Sequence, residues 1–197
     1  MSGYPTAVLF SGGGRTLANL LRHQAAGDLP IDIRLTIASR EGLGGIEIAR
    51  RHHIECRVVK KASAADAPAY QSAIFDPIRQ RGCRLVLMAG FLKHVLIPHD
   101  FERRVLNIHP SLLPAFGGAG MYGDRVHRAV IRRGVQVSGC TVHLVDNIYD
   151  NGSIVLQRWC EVEPGDTPET LAKRVFELEC EAFPTAIARY LKERIEV

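Results

Sequence analysis

The sequence predicts an α/β fold: an open, twisted, mostly parallel sheet with helices on both faces and an antiparallel edge pair near the C-terminus. Three observations lead there. Through the first half, short apolar runs alternate with amphipathic stretches, the mark of parallel strands joined by helical crossovers. After Gly134, two long β patterns follow one another across a short polar turn. One long helical pattern then closes the chain.

Each element has a local reason. Thr6–Phe10 is an apolar first strand, and Ser11–Arg15 (SGGGR) is a glycine turn. Thr16–Ala25 is a helix with Leu17, Leu20 and Leu21 on one face. Asp32–Ala38 is the second strand, Gly45–His53 a helix and Cys56–Val59 the third strand. Asp66–Arg79 is a helix softened by Pro68 and Pro77. Arg84–Ala89 (RLVLMA) reads as a fully buried fourth strand and Arg104–His109 (RVLNIH) as a fifth. Pro110–Gly123 contains two prolines and four glycines, so it is a loop. Arg125–Arg133 is helical. Val137–Asp146 and Ser153–Val162 form the antiparallel pair. Thr167–Lys192 is the closing helix, with Leu171, Val175, Leu178 and Ala182 on its buried face. Thr167 is its N-cap, with Pro168 first in the helix. Alternatively Asp166 is the cap, with Glu169 at the capping-box position.

Composition narrows the function. With 197 residues, 46% hydrophobic and 23% charged, the chain is expected to form one domain, 1–197, with a full core. The net charge of +4 comes without a Lys/Arg tract, so no nucleic-acid partner is expected. It slightly favours a small anionic ligand. No apolar run approaches the roughly 20 residues of a membrane span. The N-terminus carries no positive n-region and reads as a strand. Five widely spaced cysteines without a C-x-x-C spacing suggest a reduced, cytoplasmic protein with no metal site.

Three segments could carry chemistry. The glycine turn precedes a helix N-terminus, whose unpaired N–H groups and partial positive charge attract anions. It matches neither common nucleotide fingerprint: the G-x-G-x-x-G spacing fails at Leu17, and no acid follows the second strand at Ala38-Ser39-Arg40. A phosphate site and a plain tight turn therefore stay equally open. Asn107 and His109 lie two apart at the end of the fifth strand, so both side chains leave one face. Ligands collect at such strand ends. The plainer reading is a turn cap and a hydrogen-bonded core histidine. The turn Asp146–Gly152 (DNIYDNG) has ordinary turn composition, yet Asp150 is placed to reach His109. A carboxylate there is expected to raise the histidine pKa and hold the ring cationic. His143 is either a partner of that pair or a plain cross-strand residue. Cys140 lies on an apolar strand and is expected to be inert.

The ordered segments Ser11–Leu17 (SGGGRTL), Leu87–Leu92 (LMAGFL), Asn107–Pro114 (NIHPSLLP) and Gly139–Gly152 (GCTVHLVDNIYDNG) together resemble the folate-dependent formyltransferases. The likeness runs from Val8 to Tyr190, and the segment Val175–Pro184 (VFELECEAFP) adds to it. The resemblance implies transfer of the formyl group of 10-formyltetrahydrofolate to the amine of 5′-phosphoribosylglycinamide, with no metal. It implies Asn107, His109 and Asp150 as catalytic residues. Gly14, Arg15 and Thr16 would hold the ribose phosphate, and Glu179 the ribose hydroxyls. Leu92, Lys93, His94 and Val95 would line the pterin pocket, with Asn107 also facing the folate. Asp146 belongs to the loop Asp146–Asp150 that closes this pocket. The Leu113–Pro114 bond falls at a position that is cis in the family. The partners are then the phosphorylated amine and the folate, and a homodimer is left open.

The chain departs from the family at three places. Arg15-Thr16 stands where many members have Ser-Asn. Ser63–Tyr70 lacks an arginine that many members carry after the third strand, with Lys60 and Lys61 nearby. Ala115–Gly123 differs from the usual Lys-Tyr-Pro-Gly. Other readings are a formyltetrahydrofolate hydrolase, a formyltransferase acting on another amine such as methionyl-tRNA or a sugar amine, and a non-catalytic phospho-ligand sensor. The hydrolases carry a domain before this core, whereas the first strand here is expected at Thr6. The other transferases carry one after it, whereas this chain ends at Val197. A sensor needs no such set as Asn107, His109 and Asp150.

Overall fold

The computed structural model describes residues 3–195, so both ends of the expected 1–197 domain lie outside the described residues. In chain order the elements are β1 (Tyr4–Phe10), α1 (Arg15–Ala26), β2 (Ile31–Ala38), α2 (Gly44–Arg51), β3 (Glu55–Val58), α3 (Ala67–Gln80), β4 (Leu85–Met88), β5 (Val105–His109), α4 (Asp124–Arg133), β6 (Val137–Leu144), β7 (Ile154–Glu161) and α5 (Pro168–Ile195). The sheet order is β3-β2-β1-β4-β5-β6-β7. The chain divides between Asn107 and Ile108 into two compact units.

In the first unit, β1 pairs in parallel with β2 and β4, β2 with β3, and β4 with β5. Ala7, Val8, Leu9 and Phe10 are fully buried, as are Leu85, Val86 and Leu87. Such strands are covered on both faces, which explains their unbroken apolar sequence. The chain runs outward from β1 through β2 to β3, then returns past β1 to β4 and β5. Right-handed crossovers therefore put α1 and α2 on one face and α3 on the other. The order reverses between β1 and β4, and the loops leaving those strands diverge there.

Local chemistry sets the helix ends. Asp66 caps α3 by accepting the Ala69 N–H at 2.8 Å. In α5, Thr167 accepts the Thr170 N–H at 3.3 Å while its own N–H donates to the Thr170 hydroxyl at 2.9 Å. The capping box is thus closed by Thr170, with Thr167 as cap in place of Asp166. Asp166 instead pairs with Arg174 at 2.6 Å. On the expected apolar face of α5, Leu171, Val175 and Ala182 are buried, while Leu178 is half-buried. Two 3₁₀ turns, Lys61–Ser63 and His99–Phe101, lie in stretches the sequence left unassigned. In the second unit, β6 and β7 form the expected antiparallel pair, with a register shift at Val142/His143.

Candidate active site

His109 ends β5 and is 4% exposed. Asn107, two residues earlier on the strand, is half-buried and leaves the same strand face. The His109 ring is held at both nitrogens. Its Nε2 lies 2.9 Å from the Phe116 carbonyl, and its Nδ1 lies 3.5 Å from Asp150 Oδ2. A carbonyl only accepts, so Nε2 carries the proton in the neutral ring, and Nδ1 is the atom left to gain one. Phe116 reaches this position with φ of 55°, a rare conformation for a bulky residue.

Asp150 sits in the turn after β6 with φ of 52°, in the left-handed region. Its Oδ2 accepts the Gly118 N–H at 2.9 Å, and its Oδ1 lies 3.6 Å from His143 Nε2. The His143 Nδ1–H donates to the Leu144 carbonyl at 2.8 Å, which leaves Nε2 facing the carboxylate. Gly152 closes this turn where a Cβ would run into the Leu144 carbonyl oxygen.

The electrostatics correct one expectation. Burial pushes the His109 imidazole below its usual range, and this outweighs the upward pull of Asp150 and of the Phe116 carbonyl. The resting ring is therefore neutral near pH 7, not held as a cation. For Asp150, burial works to raise the carboxyl. Contacts with His143, His109 and the Gly118 amide outweigh it and keep the group an anion. His127 on α4 is buried too, is held below the usual range by burial, and its Nδ1 has no hydrogen-bond partner among the described residues.

The loop after β5 is fixed from below. The Thr141 hydroxyl donates to the Ser111 carbonyl at 2.7 Å and accepts the Leu113 N–H at 3.0 Å. Gln157 Nε2 donates to the Leu113 carbonyl at 3.0 Å, and the Ser111 hydroxyl donates to the Ala115 carbonyl at 2.6 Å. The Leu113–Pro114 bond is cis, as the resemblance implied.

In the first unit, Gly14 caps α1 with φ of 82°, and no side chain caps that helix. A Cβ on Gly14 would lie 2.5 Å from the Gly45 Cα, so the loop packs against α2 only because both residues lack side chains. Arg15 is exposed and Thr16 half-buried. After β4, Leu92 and Lys93 are exposed, His94 is half-buried and Val95 is 4% exposed. Lys61 donates to the His94 carbonyl at 3.2 Å, while Lys60 pairs with Glu41 at 3.0 Å.

The remaining candidates fall in the second unit. Asp146 accepts the Ile148 N–H and the Asn151 side-chain amide, both at 2.8 Å, so it staples its own turn. Glu179 is half-buried on α5 and close enough to Cys140 to act on its thiol. Burial, helped by Glu179, pushes that thiol up to about 12, so it stays protonated. Among the described residues, no three His, Cys, Asp or Glu side chains are grouped to hold a metal ion. Among the described residues, no helix is long and apolar enough to cross a membrane.

The structure thus brings together His109 and Asp150, adds His143, and shows two contacts the sequence did not reveal. Those are the Phe116 carbonyl and the Gly118 amide. Both act through the backbone, so no side-chain type could have marked them.

Residues 5–187 match the Formyl transferase family. The chain belongs to that family. It is 40% identical over 195 residues to the chloroplastic phosphoribosylglycinamide formyltransferase of Arabidopsis thaliana, covering 96% of this chain and 66% of that protein. It is 35% identical to the trifunctional purine biosynthetic protein adenosine-3 of Gallus gallus, covering 97% of this chain and 19% of that one. The formyl transferase chain therefore spans just under two thirds of the plant relative and about a fifth of the avian one. Among solved structures, glycinamide ribonucleotide transformylase 1 of Symbiobacterium toebii superposes with a TM-score of 0.91 at 34% identity, covering 98% of this chain and 90% of that one.

Proposed function

We propose that this chain transfers the formyl group of 10-formyltetrahydrofolate to the amine of 5′-phosphoribosylglycinamide in purine biosynthesis. The observation that carries the reading is the pairing of His109 Nδ1 with Asp150 Oδ2 at 3.5 Å, at the end of the strand that also bears Asn107. Membership of the family and its likeness to relatives that bear this activity in their names support it. We read 1–197 as one formyltransferase domain, because the family match runs across the boundary at Asn107.

The neutral amine attacks the formyl carbon, forming the C–N bond and moving the carbonyl pair onto oxygen. Asn107 supplies an N–H donor to that oxyanion, and His109 Nδ1–H joins it once the ring has taken the proton released by the attacking amine. Fixed donors of this kind commonly give the largest catalytic term. As the intermediate collapses, the bond to the folate nitrogen breaks and that nitrogen takes a proton. His109 Nδ1 carries the proton, with Asp150 stabilising the transient imidazolium. Gly14, Arg15 and Thr16 bind the phosphate at the N-terminus of α1, which no side chain caps. Glu179 binds the ribose hydroxyls. Leu92, Lys93, His94 and Val95 line the pterin site, and Asp146 shapes the loop beside it. We place the protein in the cytoplasm, on the odd number and wide spacing of its five cysteines. A homodimer fits this reading as well as a monomer does.

Incubating the purified protein with glycinamide ribonucleotide and 10-formyltetrahydrofolate tests the proposal. Formylated ribonucleotide and free tetrahydrofolate should appear in equal amounts. Release of formate in place of the formylated amine would point to a hydrolase, and binding without turnover to a sensor.

A further inference from the structure

The two loops that leave the sheet where its order reverses are joined through one side chain. Ser11 is the first residue after β1. Its N–H donates to the Gly90 carbonyl at 3.0 Å. Its hydroxyl oxygen accepts the Leu92 N–H at 2.9 Å. Ser11 begins the glycine loop, and Gly90 and Leu92 begin the stretch after β4. Both contacts lie within the first unit and at the carboxyl ends of adjacent strands.

This position is chemically demanding. Gly90 turns the chain with φ of 74°, so β4 ends and Leu92 leaves the sheet ladder. Its N–H then needs another acceptor. The Ser11 hydroxyl supplies one. Further along, side chains of the same unit hold the segment at two more points: Lys61 Nζ donates to the His94 carbonyl at 3.2 Å, and Gln71 Nε2 to the Leu96 carbonyl at 3.1 Å. Of these three anchors, Ser11 is the one that belongs to the glycine loop. A shift of one loop at its root therefore displaces the other.

We propose that Ser11 is a positioning residue that couples the phosphate-binding loop to the folate-lining segment, so that each ligand strengthens the binding of the other. The inference rests on the placement of the two ligands given under the proposed function. Ordering Gly12–Thr16 around a phosphate fixes Ser11, and a fixed hydroxyl holds Leu92 in place for the pterin. Linkage requires the effect to be reciprocal.

The test is titration calorimetry on the full-length protein with a non-reactive 10-substituted folate analogue, alone and in saturating glycinamide ribonucleotide. The wild type should bind the analogue more tightly with the ribonucleotide present. Ser11→Ala should weaken analogue binding by roughly 2–10-fold, the range for one neutral hydrogen bond. It should also bring the ratio of the two affinities close to one, while the urea midpoint stays near that of the wild type. Ser11→Thr keeps the acceptor and should restore both the affinity and the ratio. A wild-type ratio already near one, a Ser11→Ala ratio equal to that of the wild type, or failure of threonine to rescue would each overturn the coupling. If the wild type binds neither ligand, the functional reading itself fails, which is a separate outcome.

Discussion

His109 Nδ1 faces Asp150 Oδ2 at 3.5 Å, and each group is biased by the other. Asp150 raises the imidazole pKa, and the imidazole lowers that of the carboxyl. Burial of the ring is the larger influence on His109, so its protonated form is a transient of the reaction and not the resting state.

Asp150→Asn should therefore shift His109 in a definite direction. Removing the carboxylate removes the upward pull, so the imidazole should titrate lower still. In the wild type it should already titrate below the usual 6.5. Imidazole nitrogen chemical shifts, followed across pH in both proteins, check this. An unmoved or raised His109 titration in the variant would separate the two groups electrostatically.

The same substitution should reduce kcat by about 10²–10⁴-fold, the usual range for a positioned acid–base group. The fold should survive, since asparagine retains an oxygen that can accept the Gly118 N–H now bound at 2.9 Å. Turnover is compared beside circular dichroism. A folded variant with near-normal kcat would remove Asp150 from the proposed relay.

Arg15→Ala tests the phosphate assignment. The backbone N–H groups at the start of α1 remain, so part of the affinity should persist. The lost charge-assisted contact is worth roughly 1.5–3 kcal/mol. The phosphate is remote from the formyl carbon, so the loss should appear in the ribonucleotide KM, with little change in kcat or in folate affinity. A folate KM that rises alone would mean the two ligands are placed the wrong way round.

Gly14→Ala should destabilise the fold. Its φ of 82° strains any L side chain by about 1–3 kcal/mol, and the new Cβ would press on the Gly45 Cα at 2.5 Å. The urea midpoint should fall and the ribonucleotide KM should rise, because the loop must move away from α2. A variant as stable as the wild type would contradict this geometry.

Stability should also depend on pH through the buried histidines. His109 and His127 have folded pKa values below the usual 6.5, so the unfolded chain binds more protons as pH falls through that value. Their contribution is complete above 6.5 and is lost progressively below it, down through their folded values. His127→Leu removes one titrating group and the unpartnered Nδ1. Its stability relative to the wild type should improve between about pH 8 and about pH 5.5. Urea denaturation at the two pH values measures this, and a constant difference would refute the assignment.

The sequence by itself determined the α/β sheet, the loop positions and the strand-end pair Asn107 and His109. Those depend on periodicity and on residues close in sequence: the apolar run Leu85–Met88, the glycines Gly12–Gly14, and the two-residue spacing along β5. It also marked Asp150 as a candidate, because its turn joins the two long β segments at the edge of the sheet and not because of the turn's ordinary composition. Only the tertiary structure decided what these groups experience. Asp150 was expected to hold His109 as a cation, but the folded chain buries the ring and reverses the net shift. Desolvation depends on every atom packed around a side chain, and no local pattern records it. The Phe116 carbonyl, the Gly118 amide and the Ser11–Leu92 bridge were illegible for a related reason. Each uses a backbone group that every non-proline residue carries, and long-range folding alone selects which of them meet.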